Sequence, residues 1–223
     1  MTTMKLMDIV ADFNVYPRHQ VNMQHAADLT EALRAGAELP ALIVDAHSHR
    51  LVDGFHRWRA YKTFHGKQAG DVEVAVEQRR YATEAELFLD AVRLNADHGE
   101  RISHFDIARC TIIGEQLHID PAQLAAALSM RPEKLNTLTL NKVALTAAGS
   151  KVALRLSVRH LAGEHLTKKQ SDAAQRAGGA TFVYYLDRLI DALRNDLLPN
   201  DPKVQERLKM LIVLLVPSKK KVA

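Results

Sequence analysis

The sequence predicts an α+β protein, in which a small mixed sheet with its helices is followed by an all-α region. Two short runs in the first 80 residues, 41–45 (ALIVD) and 72–76 (VEVAV), have the β-branched content or alternation typical of strands. From residue 83 onward, Ser, Asp and Pro stand at positions that begin helices. Aromatic residues make up only 5% of the chain, while Ala and Leu are abundant, which favours helices.

The elements of the first 82 residues follow from turn and cap signals. Gly36 ends an apolar-periodic segment, and Gly54 precedes another. In chain order we expect a strand or turn entry at 6–10, a helix at 26–35, a strand at 41–45, a hairpin arm at 50–52, a helix at 55–64 and a strand at 72–76.

The remaining chain is predicted to be helical. The helices expected after residue 82 are 83–95, one that Ser103 caps and that runs to 117, 122–128, 132–140, 151–160, 181–195 and 204–216. The segment 102–140 then has the outline of a helix-turn-helix, although an all-α bundle without DNA fits the same pattern. These elements divide the chain into domains at 1–82, 83–145 and 146–223, with dimerisation expected through the last helices.

Composition restricts the class of protein only mildly. A chain of 223 residues forms one large domain or two small ones, and 25% charged residues is ordinary for a soluble protein. A net charge of +4 permits nucleic-acid binding without requiring it. The single Cys110 excludes an internal disulfide, and its apolar neighbours predict a buried thiol.

Nothing in the sequence indicates a membrane protein. Residues 1–12 lack the pattern of a signal peptide, and the longest apolar run, 210–216, is too short to span a bilayer. We therefore expect a cytoplasmic protein. His47 and His49 lie close together, but no cysteine or near carboxylate completes a standard ligand set, so no metal site is expected.

The stretch Asp53-Gly54-Phe55-His56-Arg57 places cations at the start of a helix, where the macrodipole is already positive. A bound phosphate would offset that charge. Gly54 permits close backbone approach, the amides of Phe55 and His56 can donate to an anion, and Arg57 offers a forked donor. Asp53 could serve as a base or hold a metal through water. The alternative is a surface helix with solvated arginines, whose Trp58 and Tyr61 face the core.

This stretch resembles the phosphate-binding motif of the ParB/sulfiredoxin superfamily. The ParB branch has Gly-Glu-Arg-Arg-x-x-Ala where this chain has Gly-Phe-His-Arg-Trp-Arg-Ala at 54–60, and the sulfiredoxin branch has Gly-Cys-His-Arg. The flanking order also resembles the family: Tyr-Pro-Arg at 16–18, LTEALRAG, ALIVD, the hairpin, and a segment at 94–99 similar to Glu-Asn-x-x-Arg. The resemblance covers about residues 6–140.

The resemblance implies a ParB-like fold and a site for a nucleotide triphosphate, CTP or ATP, with Mg²⁺. The implied nucleotide-binding residues are Gly54, Phe55, His56, Arg57 and Asn95. The catalytic cysteine of sulfiredoxin falls at Phe55, so repair of sulfinic acid is not expected. ParB's Glu and first Arg are replaced by Phe55 and His56, and in the later segment its Glu and Arg are replaced by Leu94 and His98.

The helix predicted at 132–140 would be the recognition helix of the helix-turn-helix. Its polar side chains suit contacts with phosphates and base edges, although a solvated helix face is an equally simple interpretation. The candidate DNA-binding residues are Arg131, Lys134, Asn136, Thr137 and Asn141.

Three functional hypotheses follow. The first is a homodimeric DNA-binding protein with a nucleotide switch, acting in plasmid- or phage-type partition or in transcriptional regulation. The second is a nucleotide-dependent enzyme of the same fold, a CTPase or ATPase, a small-molecule kinase or a nuclease, with Asp53 or Glu31 as catalytic base. The third is a structural helical protein with a degenerate nucleotide site.

Overall fold

The computed structural model describes residues 2–97 and 102–175, and beyond them 186, 189–190, 192–194, 197–198 and 201–215. The chain divides into two compact units, Met1–Arg176 and Ala177–Ala223. Both predicted domain boundaries, after residues 82 and 145, fall inside the first unit, and the predicted three-domain division stays a prediction.

The first unit contains a four-stranded mixed sheet. Its strands are β1 (Thr2–Lys5), β2 (Leu42–Asp45), β3 (Leu51–Asp53) and β4 (Glu73–Arg79). The spatial order is β1-β4-β2-β3, with β4 parallel to β2 and the other two pairs antiparallel. The α+β class is thereby confirmed. Of the strand or turn entry expected at 6–10, the turn is confirmed at residues 6–8, whereas the strand β1 ends before it and Val10 forms only an isolated bridge to Arg50.

Seven α-helices lie among the described residues of this unit: α1 (Met23–Arg34), α2 (Phe55–His65), α3 (Glu84–Asp97), α4 (His104–Gln116), α5 (Pro121–Ala127), α6 (Pro132–Leu140) and α7 (Lys168–Gln175). Side-chain caps fix several of their starts. Asn22, Ser103 and Asp120 accept hydrogen bonds from the first amides of α1, α4 and α5. Pro121 and Pro132 occupy the first turn of α5 and α6, where a missing N–H costs nothing.

Alternation along the strands gives the sheet two apolar faces. Leu42 and Val44 of β2 join a core cluster with Phe55 of α2, whereas Ile43, between them, joins a second cluster with Leu87 of α3. Successive side chains of a strand point to opposite faces, so α2 and α3 cover opposite sides of the sheet. Gly54 follows β3 and immediately precedes α2, so it lies where the chain passes from the sheet into the helix that covers one of its faces.

A separate apolar core joins the helices α3 to α6. Phe88 and Val92 of α3 pack there with Cys110 of α4, Leu124 of α5 and Leu135 of α6. This core holds α5 and α6 at the turn that residues 128–131 form between them. The helix bounds here agree closely with the predicted ones.

The prediction that the chain stays helical after residue 141 is wrong for residues 143–153. Strands β5 (Val143–Leu145) and β6 (Lys151–Ala153) form an antiparallel hairpin, and the predicted helix 151–160 is replaced by β6 and a 3₁₀ turn, Leu156–Leu161. Gly149, at φ +82°, makes the reversal between the strands possible. In the segment predicted as a helix, Val152, Leu154, Leu156 and Val158 stand at every second position, which fits a strand at least as well as a helix.

In the second unit, α8 (Pro202–Leu215) matches the helix predicted at 204–216. The helix predicted at 181–195 lies largely outside the described residues. Among the residues that the structure describes, no helix has the length and apolar character needed to cross a bilayer.

Candidate functional site

Gly54 is required by the packing at the start of α2. Its φ of +99° is a conformation that side-chain-bearing residues rarely adopt. A Cβ atom at this position would lie 2.6 Å from Leu42 Cδ2 and 3.2 Å from Arg57 Cζ. The close approach of β2 to the helix start therefore accounts for the glycine on structural grounds.

The Arg57 guanidinium is held by protein groups. Nη1 donates to the carbonyl oxygens of Pro40 at 2.9 Å and Ala41 at 2.6 Å, and Nη2 donates to Asp53 Oδ2 at 2.5 Å. The side chain is 17% exposed. In the described part of the chain these bonds use three of the five guanidinium N–H groups and tie α2 to the residues that enter β2.

His56 acts as an acceptor in this structure. Its Nε2 atom accepts a hydrogen bond from the backbone N–H of Asn22 at 3.0 Å, so Nε2 carries no proton. Asn22 also caps α1, and the rings of His25 and His56 meet edge to face with centroids 4.9 Å apart. The imidazole thus connects the starts of α1 and α2.

The first turn of α2 has no side-chain cap among the described residues. Phe55 is 1% exposed and stacks on Tyr16 with ring centroids 4.1 Å apart, so its side chain belongs to the core. Only its backbone amide is of use to a ligand. An uncapped helix start can be satisfied by an anion, which is the chemistry that the predicted nucleotide site needs.

The other predicted residues of this site differ in their surroundings. Asp53 is paired with Arg57, and Glu31 forms an ion pair with Arg34 on the exposed side of α1. Asn95 is buried in α3, and its Nδ2 donates to the carbonyl oxygen of Ala91 at 2.9 Å. Helix α3 packs on β3, the strand that leads to Gly54. The catalytic roles of Asp53 and Glu31 and the binding role of Asn95 stay predictions.

Helix α6 presents a polar face to solvent. All five predicted DNA-binding residues are exposed: Arg131, Lys134, Asn136, Thr137 and Asn141. Leu135, on the inner side, is 3% exposed and packs in the core of α3 to α6. Thr137 Oγ1 and Asn141 Nδ2 donate to carbonyl oxygens of the same helix. Arg131 and Lys134 form no ion pair in the described part of the chain.

Two buried groups lie outside the predicted sites. The predicted buried thiol is confirmed: Cys110 is 0% exposed, and burial raises its pKa to about 12. Sequence reasoning missed Asp106, whose Oδ1 accepts from His19 N at 2.8 Å and lies 3.0 Å from His19 Nδ1. Burial acts to raise the pKa of Asp106, but hydrogen bonds from His19 and Ser103 outweigh it, and the pKa lies below its usual value.

No family model matches the chain. A segment of 71 residues is 42% identical to a "streptomycin biosynthesis operon possible regulatory protein" of Streptomyces griseus. This match covers 31% of the present chain and only 18% of that protein.

The solved structures similar to the chain include ParB proteins. The C-terminally truncated chromosome-partitioning protein ParB of Caulobacter crescentus, complexed to the centromeric parS site, is 14% identical over 62% of this chain and 70% of its own, with a TM-score of 0.43. The same protein complexed with CTP-γ-S is 14% identical over 62% of this chain and 76% of its own, with a TM-score of 0.37. A Pnob8-like ParB-N domain is 16% identical over 68% of this chain and 56% of its own, with a TM-score of 0.37. All three are ParB chains.

Proposed function

We propose that this protein is a DNA-binding regulator in which α5 and α6 form a helix-turn-helix and α6 contacts the bases. The observation that supports this most is the division of α6 into two sides. Leu135 anchors the inner side in the core, while the five polar residues of the outer side are exposed. Lys and Arg on such a face meet phosphates, and Asn can pair with an adenine edge.

The local identity to a possible regulatory protein of Streptomyces griseus supports regulation as the role. Partition of a plasmid or phage genome is the other role that the sequence resemblance implies. Both roles need sequence-specific duplex binding, and we propose that a homodimer provides it through two half-sites. Light scattering on the full chain, with and without a bound duplex, measures the number of subunits.

The DNA-binding proposal is tested by selecting duplexes from a random-sequence pool and measuring affinity by fluorescence anisotropy at several salt concentrations. We expect Lys134→Ala to weaken binding to all sequences and to reduce the salt slope by about one. Asn136→Ala should reduce discrimination at one base position by about 1–3 kcal/mol. Lys67→Ala, an exposed cation far from α6 in sequence, is the matched control. Failure to select any sequence, or equal effects of Lys67 and Lys134, would contradict the proposal.

We also propose that the start of α2 binds the phosphates of a nucleotide triphosphate, CTP or ATP, with Mg²⁺. The uncapped first turn supports this, because its amides can donate to phosphate oxygens. Within this site Arg57 would contribute its remaining N–H groups while Asp53 keeps its orientation fixed.

Calorimetry with CTP, ATP and GTP in the presence of Mg²⁺ tests this site. Arg57→Gln should abolish the binding heat, whereas Arg59→Gln, an exposed arginine on the same helix, should leave it unchanged. The circular dichroism spectrum of each variant verifies the fold. Absence of binding by wild-type protein would reject the nucleotide site without affecting the DNA proposal.

An enzyme of the same fold is the second candidate function. Asp53 stands one residue before Gly54, so its carboxylate would be near a bound phosphate. Phosphate release from the preferred nucleotide, measured for wild type and Asp53→Asn, tests this candidate. Hydrolysis that Asp53→Asn abolishes would support the enzyme, and binding without turnover would favour the switch.

A further inference from the structure

A cleft of about 530 Å³ lies where three distant segments of the first unit meet. His19 comes from the loop before α1, Phe105 from the first turn of α4, and the third wall is the segment after the hairpin. The lining residues are His19, Phe105, Arg155, Leu156 and Ser157. None of them belongs to the α2 site or to the outer face of α6.

The guanidinium group of Arg155 forms no hydrogen bond or ion pair with any described residue. Its Nε and Nη2 atoms are buried without a hydrogen-bond partner. The guanidinium carbon lies 5.4 Å from the centre of the Phe105 ring, a cation–π contact that offsets only part of the desolvation. Because arginine stays charged at all ordinary pH values, this guanidinium needs an anion that the described chain does not supply.

His19 brings a second buried polar atom without a partner to the same cleft. Its backbone N–H and Nδ1 both bond to Asp106 Oδ1, and Ser103 Oγ donates to Asp106 Oδ2 at 2.6 Å. Nδ1 therefore carries the proton, and Nε2 is buried without a partner in the described part of the chain. The contact with Asp106 fixes the orientation of the ring and leaves Nε2 as the ring nitrogen available to a ligand.

We propose that this cleft binds the phosphate group of a small phosphate ester. The forked guanidinium of Arg155 donates to the phosphate oxygens, and the Nε2 atom of His19 forms a hydrogen bond with the phosphate group, which supplies both missing partners. Phe105 and Leu156, which is 69% exposed, contact the apolar part of the ligand. The ligand touches three segments that are far apart in sequence, so its binding stabilises their junction.

Titration of the full chain with phenyl phosphate, by calorimetry and by thermal unfolding, tests the proposal. We expect saturable binding and a rise in the unfolding temperature for wild type and for Arg159→Gln, which replaces an exposed arginine of the same segment. Arg155→Gln should weaken binding by about tenfold or more, because a charged hydrogen-bonding pair is lost. Arg155→Lys keeps the charge without the fork and should give an intermediate affinity.

Several outcomes would overturn the proposal. One is the absence of saturable binding of phenyl phosphate or inorganic phosphate at millimolar concentrations. Another is binding that Arg57→Gln abolishes and Arg155→Gln does not, which would assign the anion to the start of α2. A third is an effect of Arg155→Gln on duplex affinity with no binding of the small ester, which would make Arg155 a contact to the DNA backbone. The DNA proposal itself is tested with Lys134 and Asn136, so the two can fail separately.

Discussion

The start of α2 and the outer face of α6 are both rich in polar residues, but they use them differently. At α2, Arg57 donates to two carbonyl oxygens and a carboxylate, and His56 accepts from a backbone N–H. On α6, Arg131 and Lys134 are exposed and form no ion pair among the described residues. The first set holds the fold together, whereas the second contributes nothing visible to it and is available for a partner.

The largest effect that separates the two regions is expected for Gly54→Ala. The substitution combines an unfavourable backbone conformation with a Cβ placed 2.6 Å from Leu42 Cδ2, and should cost about 3 kcal/mol of unfolding free energy. Gly149→Ala is the matched control, since Gly149 has a φ of +82° but no atom within 4 Å of the new Cβ. This control substitution should lower the free energy of unfolding, measured in urea, by about 1 kcal/mol. Equal losses of unfolding free energy in the two variants would show that the Leu42 side chain moves away from the new Cβ without an energetic cost.

Alanine substitutions at two leucines of α6 distinguish its inner side from its outer side. Leu135→Ala leaves a cavity in the core and should destabilise the protein by about 2–3 kcal/mol. Leu140, which is 75% exposed, should tolerate alanine within about 0.5 kcal/mol. Chemical denaturation of both variants measures the difference. A large loss for Leu140→Ala would place that side chain in an interface.

Arg57→Ala should cost about 1–3 kcal/mol, because it removes three hydrogen bonds and leaves Asp53 without its partner. Arg59→Ala, on the exposed side of the same helix, should be neutral within about 0.5 kcal/mol. The measurement is again the free energy of unfolding in urea. If both arginine variants were neutral, the contrast between α2 and α6 would be lost.

The smallest effect on stability is expected for the double variant Lys134→Ala with Asn136→Ala. Both side chains are exposed and form no hydrogen bond in the described part of the chain, so the melting temperature should stay unchanged while duplex affinity falls. A melting temperature well below that of wild type would mean that these residues support the helix itself.

Much of the fold could be predicted because local signals determine it. Ser103, Asp120 and Pro132 mark helix starts by hydrogen bonding or by a fixed φ, and these signals need no tertiary contact. The hairpin β5–β6 could not be predicted in this way. Each strand has only three residues, too few to display a period, and the pairing of Val143 with Ala153 is a tertiary event.

The candidate sites were predictable only in part. The spacing at 53–57 located the helix start and includes the Asp53 partner of Arg57. The two carbonyl partners of Arg57, however, lie 16 and 17 residues upstream, and the partner of His56 lies 34 residues upstream. The contact of His19 with Asp106 spans 87 residues, and no local pattern encodes it. Such contacts depend on how the layers pack.

The order β1-β4-β2-β3 also has a consequence for folding during synthesis. Ile43 pairs with Asp53, so the hairpin β2–β3 can close as soon as it leaves the ribosome. Thr2 pairs with Val76, and β4 alone joins β1 to the rest of the sheet. At about 5–20 residues per second, β1 waits roughly 4–14 seconds for its partner strand. Because so much chain separates β1 from β4, β1 is the first strand of the sheet to be synthesised and the last to find its place in it. Until β4 has been synthesised, the unpaired edges of β1 can associate with other nascent chains.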